Sequence, residues 1–214
     1  MSSYNNMENN YVLAVGAHPD DIEISCGGTI AYLSSLNYKV ICVFVTNGEV
    51  GGDPDIRIKE SKKACEILKT HEVKFLGFKD TMIKVDTDLI TTLEQLKKSY
   101  NPMICLIPSE HDTHQDHRNL YHCCISAFRK VPTLLSYESP STTQGFFPNT
   151  FFKINDFVGL KKQAIESHIS QKKRDYMEWK AMQNLSSYRG TQCDEEYAEA
   201  YQCVKINFSN LVHK

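Results

Sequence analysis

The stretch YVLAVGAHPDDIEISCGGTI, Tyr11–Ile30, decides how the rest of the chain is read. Its first eight residues form a near-continuous apolar run that ends in turn chemistry. Such a run suits a strand buried on both faces of a parallel sheet. A helix is expected after it, beginning near Gly27–Thr29 and continuing through AYLSSL. The Gly27–Gly28 pair invites comparison with a dinucleotide loop. The segment lacks Gly-x-Gly-x-x-Gly at the strand–helix turn, which disfavours a nicotinamide role.

The same alternation repeats outward from this unit. KVICVFVTNGE (39–49) reads as a second buried strand entering a Gly-rich loop, and residues 55–69 carry helical spacing. VKFLGF (73–78) reads as a third strand, 88–98 as a helix, and NPMICLIPS (101–109) as a fourth strand. A His-rich segment (110–130) follows, with a helical later part, and then TLLSYES (133–139) as a fifth strand. Beyond Asn155 the pattern predicts helices, over 159–185 and again over YAEAYQCV (197–204). The expected fold is α/β: a Rossmann-like parallel sheet flanked by helices, one domain over 11–214 after a flexible segment 1–10. In such sheets ligands lie beyond the carboxyl ends of the strands. That rule selects three loops, 17–21, 46–53 and 108–116, all dense in His, Asp, Glu and Gly.

Composition bounds the function. The 214 residues are 41% hydrophobic and 23% charged, with a net charge of −2. No basic balance points to nucleic acid or an anionic membrane surface. The longest apolar runs are too short to span a bilayer, and MSSYNNMENN lacks the basic start and apolar run of a signal peptide. A cytoplasmic location is therefore expected. The eight cysteines are dispersed without a Cys-x-x-Cys pair, which indicates reduced thiols and neither a disulfide scaffold nor a thiolate zinc site.

The chemistry lies in two loops. In AHPDD, His18 and Asp21 stand three apart on a turn and can reach one cation. In HDTHQDH, His111, His114 and His117 offer further nitrogens, and spacing leaves open which of them binds. Two imidazoles and one carboxylate with an open position form a familiar catalytic zinc arrangement. Such an ion brings the pKa of bound water down to about 7. Asp20, beside a ligand but free itself, is placed to take that water's proton. Iron(II) also suits two His and one carboxylate.

AVGAHPDDIEISCGGTIA and HQDHRNL resemble the two signatures of the PIG-L/LmbE-like zinc-dependent N-acetylglucosamine deacetylase family. TNGEVGG, RIKE, HISQ and RGTQCDEEYAEAY extend the resemblance from about residue 11 to about 203. The resemblance implies His18, Asp21 and His117 as metal ligands and Asp20 as general base. It implies His114 facing the scissile carbonyl, with the assignment of both His114 and His117 to the metal as the rival. Asp116 is implied to hold an imidazole in its tautomer. Glu49, Arg57 and Asp80 are implied to border the sugar, although Arg57 and Glu60 have the spacing of an intrahelical pair. His168 of HISQ either projects into the site or is satisfied within its helix, while Tyr197, Glu199 and Arg189 read as packing or surface residues.

The implied reaction is hydrolysis of the acetamide of a small amino-sugar substrate, with a homo-oligomer as the family's usual assembly. Gln115 and Thr113 depart from the Arg-His-Pro-Asp-His element of the bacillithiol branch and disfavour its substrate. Two rivals stand: a catalytically silent sugar- or nucleotide-binding module, and a zinc amidase acting on a thiol-sugar conjugate.

Overall fold

A computed structural model describes residues 10–207. The expected flexible segment, residues 1–9 above all, lies outside the described residues. Seven strands form one sheet: β1 (Tyr11–Gly16), β2 (Lys39–Thr46), β3 (Glu72–Phe78), β4 (Ile104–Ile107), β5 (Thr133–Tyr137), β6 (Thr150–Lys153) and β7 (Ala198–Ile206). Their order is β3-β2-β1-β4-β5-β7-β6. The first five strands are mutually parallel, and β7 runs antiparallel between β5 and β6. The helices are α1 (Asp21–Ser35), α2 (Pro54–Ile67), α3 (Thr87–Tyr100), α4 (Gln115–Ala127), α5 (Val158–Glu166) and α6 (Trp179–Thr191).

The unbroken apolar runs are explained by a core on each face of the sheet. Val12 and Ala14 of β1 enter one cluster with Cys42 and Phe44 of β2 and Leu106 of β4. Leu13 and Val15 enter the other with Ile41, Val43 and Ile107. Side chains alternate across a strand, so a strand covered on both sides must be apolar at every position. Helices α1 and α2 supply the first face, α3 and α4 the second. All eight cysteines are free thiols, six of them buried.

Two expectations are corrected here. YAEAYQCV is strand β7 and not a helix, and TFFK, which the sequence reading passed over, is strand β6. The sheet is therefore mostly, not wholly, parallel. Ala and Glu favour helix locally, but tertiary pairing decides. Tyr201 is fully buried, and the Glu199 carboxylate accepts from the Gly28 and Thr29 N–H groups at 2.9 and 2.7 Å.

This contact also explains where helix α1 begins. Helix α1 starts at Asp21, yet Cys26 leaves helical geometry (φ −135°, ψ 18°). The expected start near Gly27 is the start of the second helical piece, and Glu199 satisfies its free N–H groups. The chain thus gains an extra turn, Asp21–Ser25, that reaches toward the carboxyl edge of the sheet.

Lys161 of α5 completes the arrangement, donating to Glu199 Oε1 at 2.6 Å with both side chains almost wholly buried. Removing one member of a buried pair leaves an uncompensated charge. Glu199→Ala should cost about 3–5 kcal/mol in urea unfolding, and a paired Lys161→Met/Glu199→Leu variant should recover a large share. A loss under about 1 kcal/mol for Glu199→Ala would show that the pair does not secure α1.

Candidate active site

Strands β2 and β3 leave β1 on one side, and β4 and β5 extend from the other. The sheet order reverses between β1 and β4, and open α/β sheets have their ligand crevice at that point. The chain leaving β1 carries His18–Asp21, and the chain leaving β4 carries Pro108–His117. Between them lies a pocket of about 350 Å³ whose lining includes His18, Asp20, Asp21, Arg57, Asp80, His114 and His117.

Local chemistry fixes each side chain. Asp21 Oδ2 accepts the His18 backbone N–H at 2.8 Å, closing the turn between β1 and α1. Asp20 sits at φ 109°, a left-handed conformation that non-glycine residues seldom adopt. Strain of this kind costs about 1–3 kcal/mol and gathers at functional sites. On the other loop His114 is the N-cap of α4, its Nδ1 accepting the Asp116 N–H at 3.2 Å. His117 then falls in the first turn of that helix.

The tautomers follow from the hydrogen bonds. His18 Nε2 lies 3.1 Å from both Asp116 Oδ2 and Asp80 Oδ1, which act as acceptors, so its proton belongs on Nε2. That leaves the Nδ1 lone pair facing Asp21 Oδ2 at 3.4 Å. Asp112 Oδ2 holds His117 Nδ1 at 2.9 Å, and Ser139 donates to the same oxygen at 2.6 Å. His117 Nε2 is buried without a hydrogen bond, 3.2 Å from Asp21 Oδ1.

Two imidazole lone pairs therefore converge on one carboxylate, an arrangement that only a proton or a cation reconciles. The ligand atoms of His18, Asp21 and His117 lie within 4.8 Å of one another, and the three form a group able to hold a metal ion. His18, His114 and Asp116 meet the same distance test. Asp116 is already engaged there by His18 and by the Thr81 and Ile83 N–H groups. The His114 Nδ1 lone pair is likewise spent on its cap. The first group fits an ion better.

Electrostatics agree. Burial alone would lower the pKa of His18 and His117. Hydrogen bonds to Asp116 and Asp21 hold His18 well above its ordinary value. The charge of Asp21 and the Asp112 hydrogen bond raise His117 to about 10. Such a demand for positive charge is what a divalent ion meets on replacing the proton. Burial pushes Asp20 up to about 6, opposed by the Arg57 charge and aided by Asp21. Burial and the neighbouring His18 and His117 lower His114, leaving it neutral at pH 7.

The remaining sequence candidates are dispersed. Arg57 is buried, donating to the Gly48 carbonyl at 2.9 Å, to the Pro19 carbonyl and to Asp20 Oδ2 at 3.1 Å. It makes no pair with Glu60, which instead accepts from Ser170. Asp80 lines the pocket and accepts the Val50 N–H. Glu49 is exposed and outside the lining, its carboxylate taken by the Asp80 N–H at 2.9 Å. His168 is buried behind the wall, 3.1 Å from Glu23 Oε1, and does not reach the pocket surface. His111 stays near Glu110, away from the pocket. Sequence reasoning missed Asp112, Ser139, Arg174 and Tyr176. The Tyr176 hydroxyl lies 3.4 Å from Asp20 Oδ2, and Arg174 lines the pocket mouth. Asp112 had a signal, an acid two residues before His114 in the loop already singled out.

The sequence profile of the PIG-L family, GlcNAc-PI de-N-acetylase, matches residues 13–128, which hold both loops. The chain is 36% identical over 167 residues to the uncharacterized deacetylase YaiS of Escherichia coli K12, covering 74% of this chain and 90% of that protein. It is 29% identical to the diacetylchitobiose deacetylase of Thermococcus kodakarensis, across 94% of this chain and 85% of that one. The crystal structure of GalB, the 4-carboxy-2-hydroxymuconate hydratase of Pseudomonas putida KT2440, superposes with a TM-score of 0.83. It is 23% identical and covers 92% of this chain and 97% of that one, a likeness of fold alone. No helix among the described residues is long and apolar enough to cross a membrane. By its profile match and its relatives, this chain belongs to the PIG-L family of amide-hydrolysing deacetylases.

Proposed function

We propose that this chain removes the acetyl group from an N-acetylglucosamine-containing small molecule, using a divalent ion held by His18, Asp21 and His117. Zinc is the expected ion and iron(II) the alternative for this donor set. The observation that carries the reading is the convergence of two oriented imidazole lone pairs on Asp21, with a second carboxylate, Asp20, adjacent but outside the ligand set. An ion held there supplies Lewis acidity to the amide carbonyl and acidifies the attacking water.

The chain's own groups do the rest. Asp20 takes a proton from the water as its oxygen bonds to the acetamide carbon. It returns that proton to the sugar nitrogen as the C–N bond breaks, so the products are acetate and a free amine. A carboxyl group near 6 is suited to both transfers at neutral pH. Arg57 and Tyr176 hold Asp20 Oδ2 in place. Neutral His114, with Nδ1 accepting from the backbone, presents Nε2–H as a donor to the oxyanion that develops on the carbonyl oxygen. Asp116 and Asp112 each keep one ligand imidazole in its tautomer, the support ligating histidines ordinarily need. An intact base beside an intact ligand set favours an enzyme over a silent binding module.

Acetate release from a panel of N-acetylglucosamine derivatives, including a thiol conjugate, tests the reading. Chelation should abolish turnover and added zinc should restore it; activity that persists in metal-free protein would exclude metal chemistry. Asp20→Asn should retain the ion and lose about 10²–10⁴ in kcat, whereas His117→Ala and Asp21→Ala should lose both. Turnover of Asp20→Asn at the parent rate would remove Asp20 as the base. Asp112→Ala should weaken metal binding about 10–100-fold in a competition with a chromophoric chelator. Unchanged affinity would mean that His117 is oriented by other contacts.

A further inference from the structure

The pocket and a second, smaller cavity share one wall. Ile24 and Ser25 line the pocket that holds His18, Asp21 and His117, and both also line a cavity of about 10 Å³ behind it. The two residues close the short helical turn Asp21–Ser25, just before the chain leaves helical geometry at Cys26. Positions three and four apart share a helix face, so Ile24 and Ser25 stand on the side of Asp21. The Ile24 N–H donates to the Asp20 carbonyl at 3.1 Å, which ties this wall to the neighbouring acid.

What lies behind the wall is apolar and adaptable. Ile24 packs with Ile165, Met177 and Met182 in a small buried cluster, with Trp179 against it. Met182, Leu185, Ala198 and Ala200 line the second cavity. The charged groups on its border are paired with one another, Lys161 with Glu199 and Arg189 with Glu138. Methionine side chains rearrange readily around an apolar guest. At about 10 Å³ the cavity has room for a water-sized body and for no hydrocarbon chain. The Ile24 side chain thus separates the pocket from an apolar region that is closed only by its bulk.

An amide in this pocket has three substituents to place. In the proposed reaction the carbonyl oxygen faces His114, and the nitrogen faces Asp20 and leads the sugar to the mouth. The acyl chain takes the remaining side. Of the apolar side chains in the lining, Val50 and Pro140 are exposed, Tyr176 is half-buried beside Asp20, and Ile24 is buried. A methyl group gains most against a wall that water does not reach. We infer that Ile24, with Ser25 beside it, is the wall against which the acyl methyl packs, and that its side chain restricts the reaction to acetyl groups. The inference rests on the reading that the pocket hydrolyses an N-acylated amino sugar, and it adds which acyl groups are accepted. Shortening Ile24 joins the pocket to the cavity behind and admits longer acyl chains.

The test measures amine release from glucosamine derivatives that carry an N-acetyl, N-propionyl or N-butyryl group. In the parent, kcat/KM should fall about tenfold or more with each added methylene. In Ile24→Ala the propionyl and butyryl substrates should equal or exceed the acetyl one. Ile24→Val, which removes one methyl group and leaves the packing nearly intact, should narrow the propionyl penalty several-fold even where Ile24→Ala fails to fold. Ile30→Ala truncates another buried isoleucine of the same helix, outside the lining, and should keep the parent order. A parent indifferent to chain length, or Ile24→Ala and Ile24→Val proteins that keep the parent order, overturns the role of Ile24. Calorimetric titration with acetate, propionate and butyrate separates this claim from the reaction. The parent should bind acetate most tightly, and Ile24→Ala should favour butyrate. If no acyl group is released from any of the amides, the deacetylase reading fails, and the carboxylate series still decides whether Ile24 limits the acyl site.

Discussion

The carboxylate of Asp21 stands between two imidazole nitrogens that carry lone pairs toward it, and much of the site is arranged around that contact. His18 is turned by Asp116 and Asp80, and His117 by Asp112, so in its neutral form each ring directs a lone pair at Asp21. Electron-rich atoms do not gather in a buried place unless a positive charge is shared among them. The fold meets this requirement by bringing the ends of β1 and β4 together where the strand order reverses. Each loop alone contributes only part of the proposed ligand set, and the parallel register between the two strands brings its members together.

Asp20 shows how adjacent acids acquire different tasks. It follows the same turn as Asp21, yet its positive φ swings it to the other side of the chain, where Arg57 reaches it from α2. Gly48, itself at φ 69°, leaves the space into which the Arg57 guanidinium packs. The Gly-rich loop after β2 thus serves Asp20, the proposed base, indirectly, by admitting the arginine that holds it. In the family reading this separation lets one acid bind the ion while its neighbour moves protons.

Much of this was legible in the sequence because the informative residues are local. Five parallel strands announce themselves as apolar runs, and the His-Pro-Asp-Asp and His-Gln-Asp-His clusters sit in the segments that follow two of them. What escaped depends on contacts distant in sequence. YAEAYQCV has helix-favouring residues, and only its place between β5 and β6, with Glu199 capping the kinked helix at Gly28, makes it a strand. Asp112 draws its meaning from His117 and from Ser139, 27 positions away. Glu49 and His168 have the right chemistry but face elsewhere, toward the Asp80 N–H and toward Glu23. Tyr176 reaches Asp20 across 156 positions, a proximity that spacing does not encode.

The most direct measurement of the central claim is an anomalous-difference map from crystals of zinc-loaded protein. The ion is predicted within about 2.0–2.2 Å of His18 Nδ1, an Asp21 carboxylate oxygen and His117 Nε2, with Asp20 and His114 uncoordinated. Density centred on His114 and Asp116, or absent from the group around Asp21, would contradict the account.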